Sequence, residues 1–280
     1  MRKDVVLPAL ALAGGGAGAA VRYWQINTSL VRETMLFRMD TPATMALLAL
    51  LAGLAVLFFV LTRGGREMTG YPESFYCPSV GYMTLMAAGG FLMFGAAALG
   101  LLEGMEQLRI WQAARAMKLP GAVNLPAMLL LTAVLSAAGG FGVLLLGKGN
   151  YRGSLISAYP LLAVLPAYAV LPWVVWLYQE NSRQPQPMFY VFTLLAAVCA
   201  LLGLYFAACF AFQRPSVKLC LFFSLMGIVL LLTSLADRPS LFQIAISSAV
   251  VLMLLAQSYA LLHNCFGVQQ PLPEHTPVTE

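Results

Sequence analysis

The segment LISAYPLLAVLPAYAVLPWVVWLY (residues 155–178) decides the fold, because it runs for 24 residues without a charged side chain. A helix of about 20 apolar residues crosses the hydrocarbon core of a bilayer, so this segment predicts a membrane-spanning helix. Pro160, Pro166 and Pro172 divide the segment at intervals of six residues. Since a proline inside a helix removes an amide donor and clashes with the carbonyl four residues earlier, the sequence predicts a broken helix.

The proline breaks predict a ligand site at membrane depth. Pro166 would free the carbonyl of Leu162, and Pro172 would free that of Tyr168. An unsatisfied carbonyl in a membrane is tolerated only where protein or a water-filled cavity covers it, as at many transporter substrate sites. The alternative is that these prolines are ordinary and that the aromatic residues are interface anchors. The candidate ligand-binding residues are Tyr159, Pro166, Tyr168, Pro172 and Trp173.

Composition extends the membrane interpretation to the whole chain. Of its 280 residues, 60% are hydrophobic and 10% are charged, and the mean hydropathy is +0.81. About a quarter of the residues in a soluble domain are charged, so a soluble fold is excluded. Seven further segments are long and apolar enough to span a bilayer. The eight predicted spans are 5–22, 43–62, 79–102, 122–147, 155–178, 188–212, 219–235 and 240–262.

We therefore predict an all-α fold, a polytopic transmembrane helical bundle of eight helices arranged as four consecutive hairpins. Each returning span begins near a proline and ends near a basic residue or histidine, as Pro42 and Arg63 do for the second span. Either an internal duplication or shared topological constraints would explain this pattern. Residues 1–266 then form a single transmembrane domain, and residues 267–280 are predicted to be a disordered C-terminal tail.

The first span also has features of a cleaved signal peptide, namely a basic start, an apolar run and small residues before position 20. Its glycine content and the interface residues Arg22, Tyr23 and Trp24 favour a retained helix. Lysine and arginine residues divide evenly between the two sides of the membrane, but on the N-terminal side they bracket short connections. This placement predicts a cell-membrane protein with both termini in the cytoplasm.

Polar chemistry is sparse in the predicted spans. No charged residue lies in the central half of any span, which disfavours ion-coupled pumps and proton relays. A haem would need histidines inside helices, and only His263 comes near the membrane. The spans contain no nucleophile with a base and no metal-ligand spacing. We therefore predict no enzyme activity, no catalytic residue, no cofactor, no metal site and no nucleic-acid partner.

Charges and glycines at the span ends give two further predictions. Arg22 ends the first span and Glu103 ends the third, so both reach one interface and predict a charge pair or an anion site. Glycines in the first, third and fourth spans allow close approach of backbones, which predicts that these helices are neighbours. Beyond Glu103 the chain continues as an amphipathic helix. Trp111 in this extension is either an interface anchor or part of a binding surface.

Two functions fit this sequence. The first is a permease-like protein that handles a small molecule or lipid at the proline-bearing fifth span. The second is a non-transporting membrane anchor or an assembly subunit of a larger complex. The predicted partners are the lipid bilayer and a partner membrane or peripheral subunit.

Overall fold

The computed structural model describes residues 2–31, 36–38, 40–66, 68, 70–117, 125–182, 188 and 190–267. Within them, eight helices are long and apolar enough to cross a membrane, which confirms the predicted all-α polytopic bundle. The helices are α1 (Lys3–Ser29), α2 (Pro42–Leu61), the short α3 (Tyr71–Phe75), α4 (Val80–Ala116), α5 (Ala127–Arg152), α6 (Tyr159–Asn181), α7 (Val191–Cys209), α8 (Val217–Ser234) and α9 (Leu241–Phe266). Apart from Gly267, the predicted tail lies outside the described residues.

Two spanning helices, α1 and α4, extend far beyond their predicted ends. α1 continues through Arg22 to Ser29, and an antiparallel pair of two-residue strands follows, β1 (Leu30–Val31) and β2 (Leu36–Phe37). α4 continues to Ala116, so the predicted amphipathic extension is a continuous part of that helix. Both helices therefore carry polar residues beyond the apolar runs that identify them.

The fifth span, α6, is one continuous helix rather than a broken one. Pro160 lies in its first turn, where a missing amide costs no helical hydrogen bond. Pro166 and Pro172 lie inside the helix, which runs on to Asn181. The predicted break is therefore wrong, because the helix continues on both sides of each proline.

α9 lies at the centre of the bundle. It packs against α1, α4 and α8 and touches α3 and α7. In its most apolar 18-residue window, 72% of the residues are buried, against 33% for α1. The last described helix thus fills the middle of the bundle.

The two ends of the described bundle meet on one face. The Nδ1 atom of His263 lies 3.3 Å from the Oδ2 atom of Asp4, and Lys3 Nζ donates to the Leu61 carbonyl at 3.2 Å. We call this side, defined by Lys3, Asp4 and His263, the N-terminal face. The opposite face is defined by Arg22, in the second half of α1, and by Asp237, in the turn just beyond the end of α8.

Glycine allows close contact between α4 and α5. A Cβ atom added at Gly140 would lie 3.0 Å from the carbonyl oxygen of Gly90. One added at Gly90 would lie 2.8 Å from the Leu144 side chain. Because neither position has room for a side chain, the two backbones approach each other, as the sequence predicts for the third and fourth spans.

α1 does not join this glycine contact. It packs against α2, α8 and α9. Leucine side chains pack against its glycines instead. A Cβ atom added at Gly15 would lie 2.7 Å from the Leu232 side chain. One added at Gly14 would lie 2.8 Å from the Leu54 side chain. The predicted neighbourhood of the first span with the third and fourth is therefore wrong, because a glycine stripe fits leucine as well as a second backbone.

Replacing Gly140 by alanine should lower the melting temperature in detergent, because the new methyl group meets a backbone carbonyl. Gly95 is the matched control, since no atom of the described residues lies within 4 Å of a Cβ atom added there. Gly95→Ala should leave the melting temperature unchanged or raise it, because alanine favours a helix over glycine by about 1 kcal/mol. An equal loss in both variants would contradict the close contact between α4 and α5.

Candidate functional site

The five residues predicted to bind a ligand lie in different surroundings. Tyr168 is 51% exposed on the outer surface of the bundle, whereas Trp173 is 1% exposed. Pro166 and Pro172 are buried. Tyr159 lies at the start of α6, where its ring centroid is 5.6 Å from that of Tyr71 in α3. The structure therefore does not bring the three aromatic side chains together.

Protein covers the carbonyl that Pro166 frees. A Cβ atom added at Gly142 of α5 would lie 3.0 Å from the Leu162 carbonyl oxygen. One added at Gly139 would lie 3.6 Å from the Cα atom of Pro166. The α5 backbone is thus close enough for a weak Cα–H···O contact with that oxygen. A glycine of the neighbouring helix takes the place that a ligand or water would take in a transporter site.

The most concentrated polar site surrounds Arg22, which is 1% exposed. Its Nε atom donates to Asp237 Oδ1 at 2.7 Å, and one terminal nitrogen donates to Gln25 Oε1 at 2.7 Å. The other terminal nitrogen donates to the carbonyl of Met188 at 2.9 Å. All three guanidinium nitrogens therefore have a partner, as a buried charge requires.

Further contacts connect the Arg22 site to two more helices. Gln25 donates from Nε2 to the Thr44 hydroxyl of α2 at 2.8 Å. Thr193 of α7 donates to the second oxygen of Asp237 at 3.3 Å. The guanidinium also lies over the Phe192 ring, 4.8 Å from its centroid. This cluster joins α1, α2, α7 and the end of α8 at the opposite face.

The predicted pair of Arg22 and Glu103 is corrected by this geometry. Arg22 takes Asp237 as its ion partner. Glu103 lies beside Ser240 and Glu180 instead. The physical reason is that α1 extends beyond Arg22 and packs on α8, so the arginine faces the end of α8 rather than α4.

A second polar cluster fastens α3 to the N-terminal face. Asn264 of α9 donates from Nδ2 to the carbonyls of Ser74 and Tyr76, at 2.9 and 3.0 Å. These bonds fix the connection between α2 and α4 onto the central helix. Our sequence analysis missed Asn264, because an asparagine at the end of a span also fits a solvent-facing position.

Asn150, at the end of α5, completes this cluster. Its side-chain Nδ2 atom donates to the Tyr82 hydroxyl at 2.8 Å, and its backbone carbonyl accepts from the Cys77 backbone amide at 3.2 Å. Burial raises the pKa of Tyr71 to about 12 and also raises the pKa of the Cys77 thiol. Both groups therefore stay protonated at neutral pH, and Cys77 lacks the thiolate that a reactive cysteine needs.

The two clusters hold helices together and offer no metal centre within the part of the chain that the structure describes. Among those residues, no three His, Cys, Asp or Glu side chains come close enough to hold an ion. The fold and the hydropathy of its helices define a multi-pass integral membrane protein. No protein-family model, no curated protein sequence and no solved structure matches the chain.

Replacing Asp237 by alanine should destabilise the protein strongly, because Arg22 would keep a buried charge without its anion. Breaking a buried ion pair by removing one partner costs about 3–5 kcal/mol. Unfolding by denaturant in detergent measures this loss. The control is Arg238→Ala at the exposed neighbouring residue, which should change stability little. Comparable stability of the two variants would show that the ion pair between Arg22 and Asp237 contributes nothing to the free energy of unfolding.

Proposed function

We propose that this protein is a non-transporting membrane anchor or assembly subunit that holds a partner protein at the opposite face. The observation that carries the proposal is the projecting end of α4. This helix has 37 residues. A helix of that length measures roughly 55 Å, whereas the hydrocarbon core is about 30 Å thick.

The projecting end begins where α4 leaves the bundle. Gly104 is the last buried residue of α4, and it lies against Leu130 of α5. From Met105 to Met117, the described part of the chain fully buries no residue and leaves Gln107, Leu108, Trp111 and Ala114 half-buried. This stretch extends roughly 20 Å. α4 does not need this stretch to span the membrane, whereas a partner protein needs such a surface for docking.

The side chains of the projecting end suit a protein partner. Ile110 and Met117 are 51% and 72% exposed. Charges of both signs stand among them, including Glu106 and Arg109. Helices that lie on anionic lipid are rich in lysine and arginine on their polar face, whereas protein interfaces combine apolar contacts with a mixed polar rim. The composition therefore favours a protein over a lipid surface.

The packed interior also supports an anchor. α9 occupies the centre, and a glycine backbone covers the freed Leu162 carbonyl of α6. The proposed role requires no catalytic residue and no cofactor. It needs a rigid bundle, which the Arg22 site supports by joining four helices.

A permease-like role in handling small molecules or lipids is the second candidate. It is favoured by two recesses of about 440 and 250 Å³ that both include Tyr159. Both open at the N-terminal face, and the smaller one reaches inward as far as Leu145 and Leu162. A transport path would have to continue past these residues along α6.

We place the N-terminal face in the cytoplasm. Lysine and arginine divide evenly between the two faces of the whole chain, but those of the N-terminal face bracket short connections, whereas many of those on the opposite face lie in the longest loops. An excess of lysine and arginine in short loops marks the cytoplasmic side. The basic residues are Arg2, Lys3, Arg63, Arg66, Lys148, Arg152, Arg214 and Lys218.

Topology reporters should confirm this orientation. Alkaline phosphatase fused after Arg66 or Arg152 should be inactive, because that enzyme needs an oxidising compartment to form its disulfides. A fusion after Met117, on the opposite face, should be active. The reverse pattern would show that the N-terminal face lies outside the cytoplasm. The same result at all three positions would contradict the hairpin topology.

A photo-crosslinking amino acid at Ile110 tests the anchor proposal in native membranes. We expect one discrete adduct heavier than the protein alone, because the exposed face of the projecting end contacts its partner. Phe91 is the matched control, since it lies on α4 and is 67% exposed within the membrane span. The same adduct at Phe91, or no adduct at Ile110, would count against a docked subunit and favour the permease-like role.

A further inference from the structure

A groove opens on the N-terminal face between the end of α5 and the start of α6. It is the smaller of the two recesses that include Tyr159. Its volume is about 250 Å³. α5 ends there at Gly153, which has a φ of 72° in the left-handed region. The groove has an apolar wall and a basic rim. The wall includes Leu145, Leu155, Ile156 and Leu162, and the rim carries Lys148 and Arg152.

The groove lies at the depth of the lipid headgroups. Val134, Phe141 and Leu145 form the outward stripe of α5 and are 63%, 63% and 47% exposed. Lys148 and Arg152 continue this stripe at the same helical spacing and are exposed. A surface that faces acyl chains thus ends in two cations, where the phosphates of a bilayer lie.

The two rim cations have no acidic partner within 4.0 Å among the described residues. They stand four residues apart on α5, and like charges at that spacing repel each other. The negative end of the helix dipole offsets part of this repulsion. An anion held between the two side chains would remove the remaining repulsion between them.

A buried polar atom adjoins the groove. Asn150 is 2% exposed, and its Oδ1 atom accepts no hydrogen bond from the residues that the structure describes. It borders a recess of about 10 Å³ that shares Gly149 and Leu155 with the groove. That volume is roughly what one water molecule needs. Such a water can donate one hydrogen to Oδ1 and the other toward a ligand in the groove.

We propose that this groove binds one anionic phospholipid of the surrounding bilayer. The phosphate lies between Lys148 and Arg152, and an acyl chain follows Leu145 and Leu162 along the outer surface. Basic pockets between membrane helices bind acidic lipid headgroups in this way. The proposal goes beyond the anchor function and does not depend on it.

Native mass spectrometry of the delipidated full-length protein tests this site. Phosphatidylglycerol and phosphatidylcholine with identical acyl chains are titrated separately, and the dissociation constant of the first bound lipid is measured. The wild-type protein should prefer phosphatidylglycerol. The variant Lys148→Gln/Arg152→Gln should bind phosphatidylglycerol roughly thirtyfold more weakly, or about fivefold for each charge, and phosphatidylcholine unchanged.

The matched control is Arg63→Gln/Lys218→Gln, which removes two charges from the same face outside the groove. The guanidinium of Arg63 lies over the Phe59 ring of α2. This control should bind phosphatidylglycerol as the wild type does. An equal loss in both double variants would overturn the proposal, because it would reflect general surface charge.

Two further results would also overturn it. One is equal wild-type affinity for the two lipids. The other is displacement of phosphatidylglycerol by inorganic phosphate at a comparable concentration, which would show a free-anion site without an acyl-chain contact. The conservative variant Lys148→Arg/Arg152→Lys keeps both charges and should retain the preference. If the glutamine double variant does not fold, the single variants Lys148→Gln and Arg152→Gln should each show the fivefold loss.

Discussion

Two helices gain little from burying apolar surface against each other in lipid, so this bundle depends on contacts between backbones where side chains are absent. Gly90 and Gly140 bring α4 against α5, and Gly142 brings α5 against the Leu162 carbonyl of α6. The second contact also satisfies the requirement that Pro166 creates. A proline-bearing helix can therefore remain continuous and packed, because its neighbour lacks a side chain at the level of the freed carbonyl.

Polar groups hold the two ends of the bundle, and apolar packing holds its middle. Arg22 is tolerated because three acceptors and an aromatic ring replace the water it loses. At the N-terminal face, Asn150 and Asn264 satisfy backbone groups of the 71–77 segment. The connecting segments are thereby fixed to helices, which gives the surfaces at both faces a defined shape.

Hydropathy was sufficient to predict the eight spans, because apolar length is a local property. The partners of individual residues were not predictable in the same way. Arg22 meets Asp237 across 215 residues, and nothing near either residue in the sequence indicates the other. The glycines of α1 indicate that a neighbouring helix packs closely, but not whether its backbone or a leucine side chain makes the contact. Likewise, the prolines of α6 identify the freed carbonyls, whereas the register between α5 and α6 decides what covers them.

The central position of α9 has a consequence for biogenesis. Among the described spans, the ribosome makes the one that fills the core after the other seven, so those seven enter the membrane around an unfilled centre. Until residue 266 has been synthesised, α1 and α4 lack the surface between them, and Asp4 lacks His263. The finished core thus forms only after α9 has been synthesised, and a nascent protein that stalls before α9 presents an open, incompletely packed bundle to the quality-control machinery of the membrane.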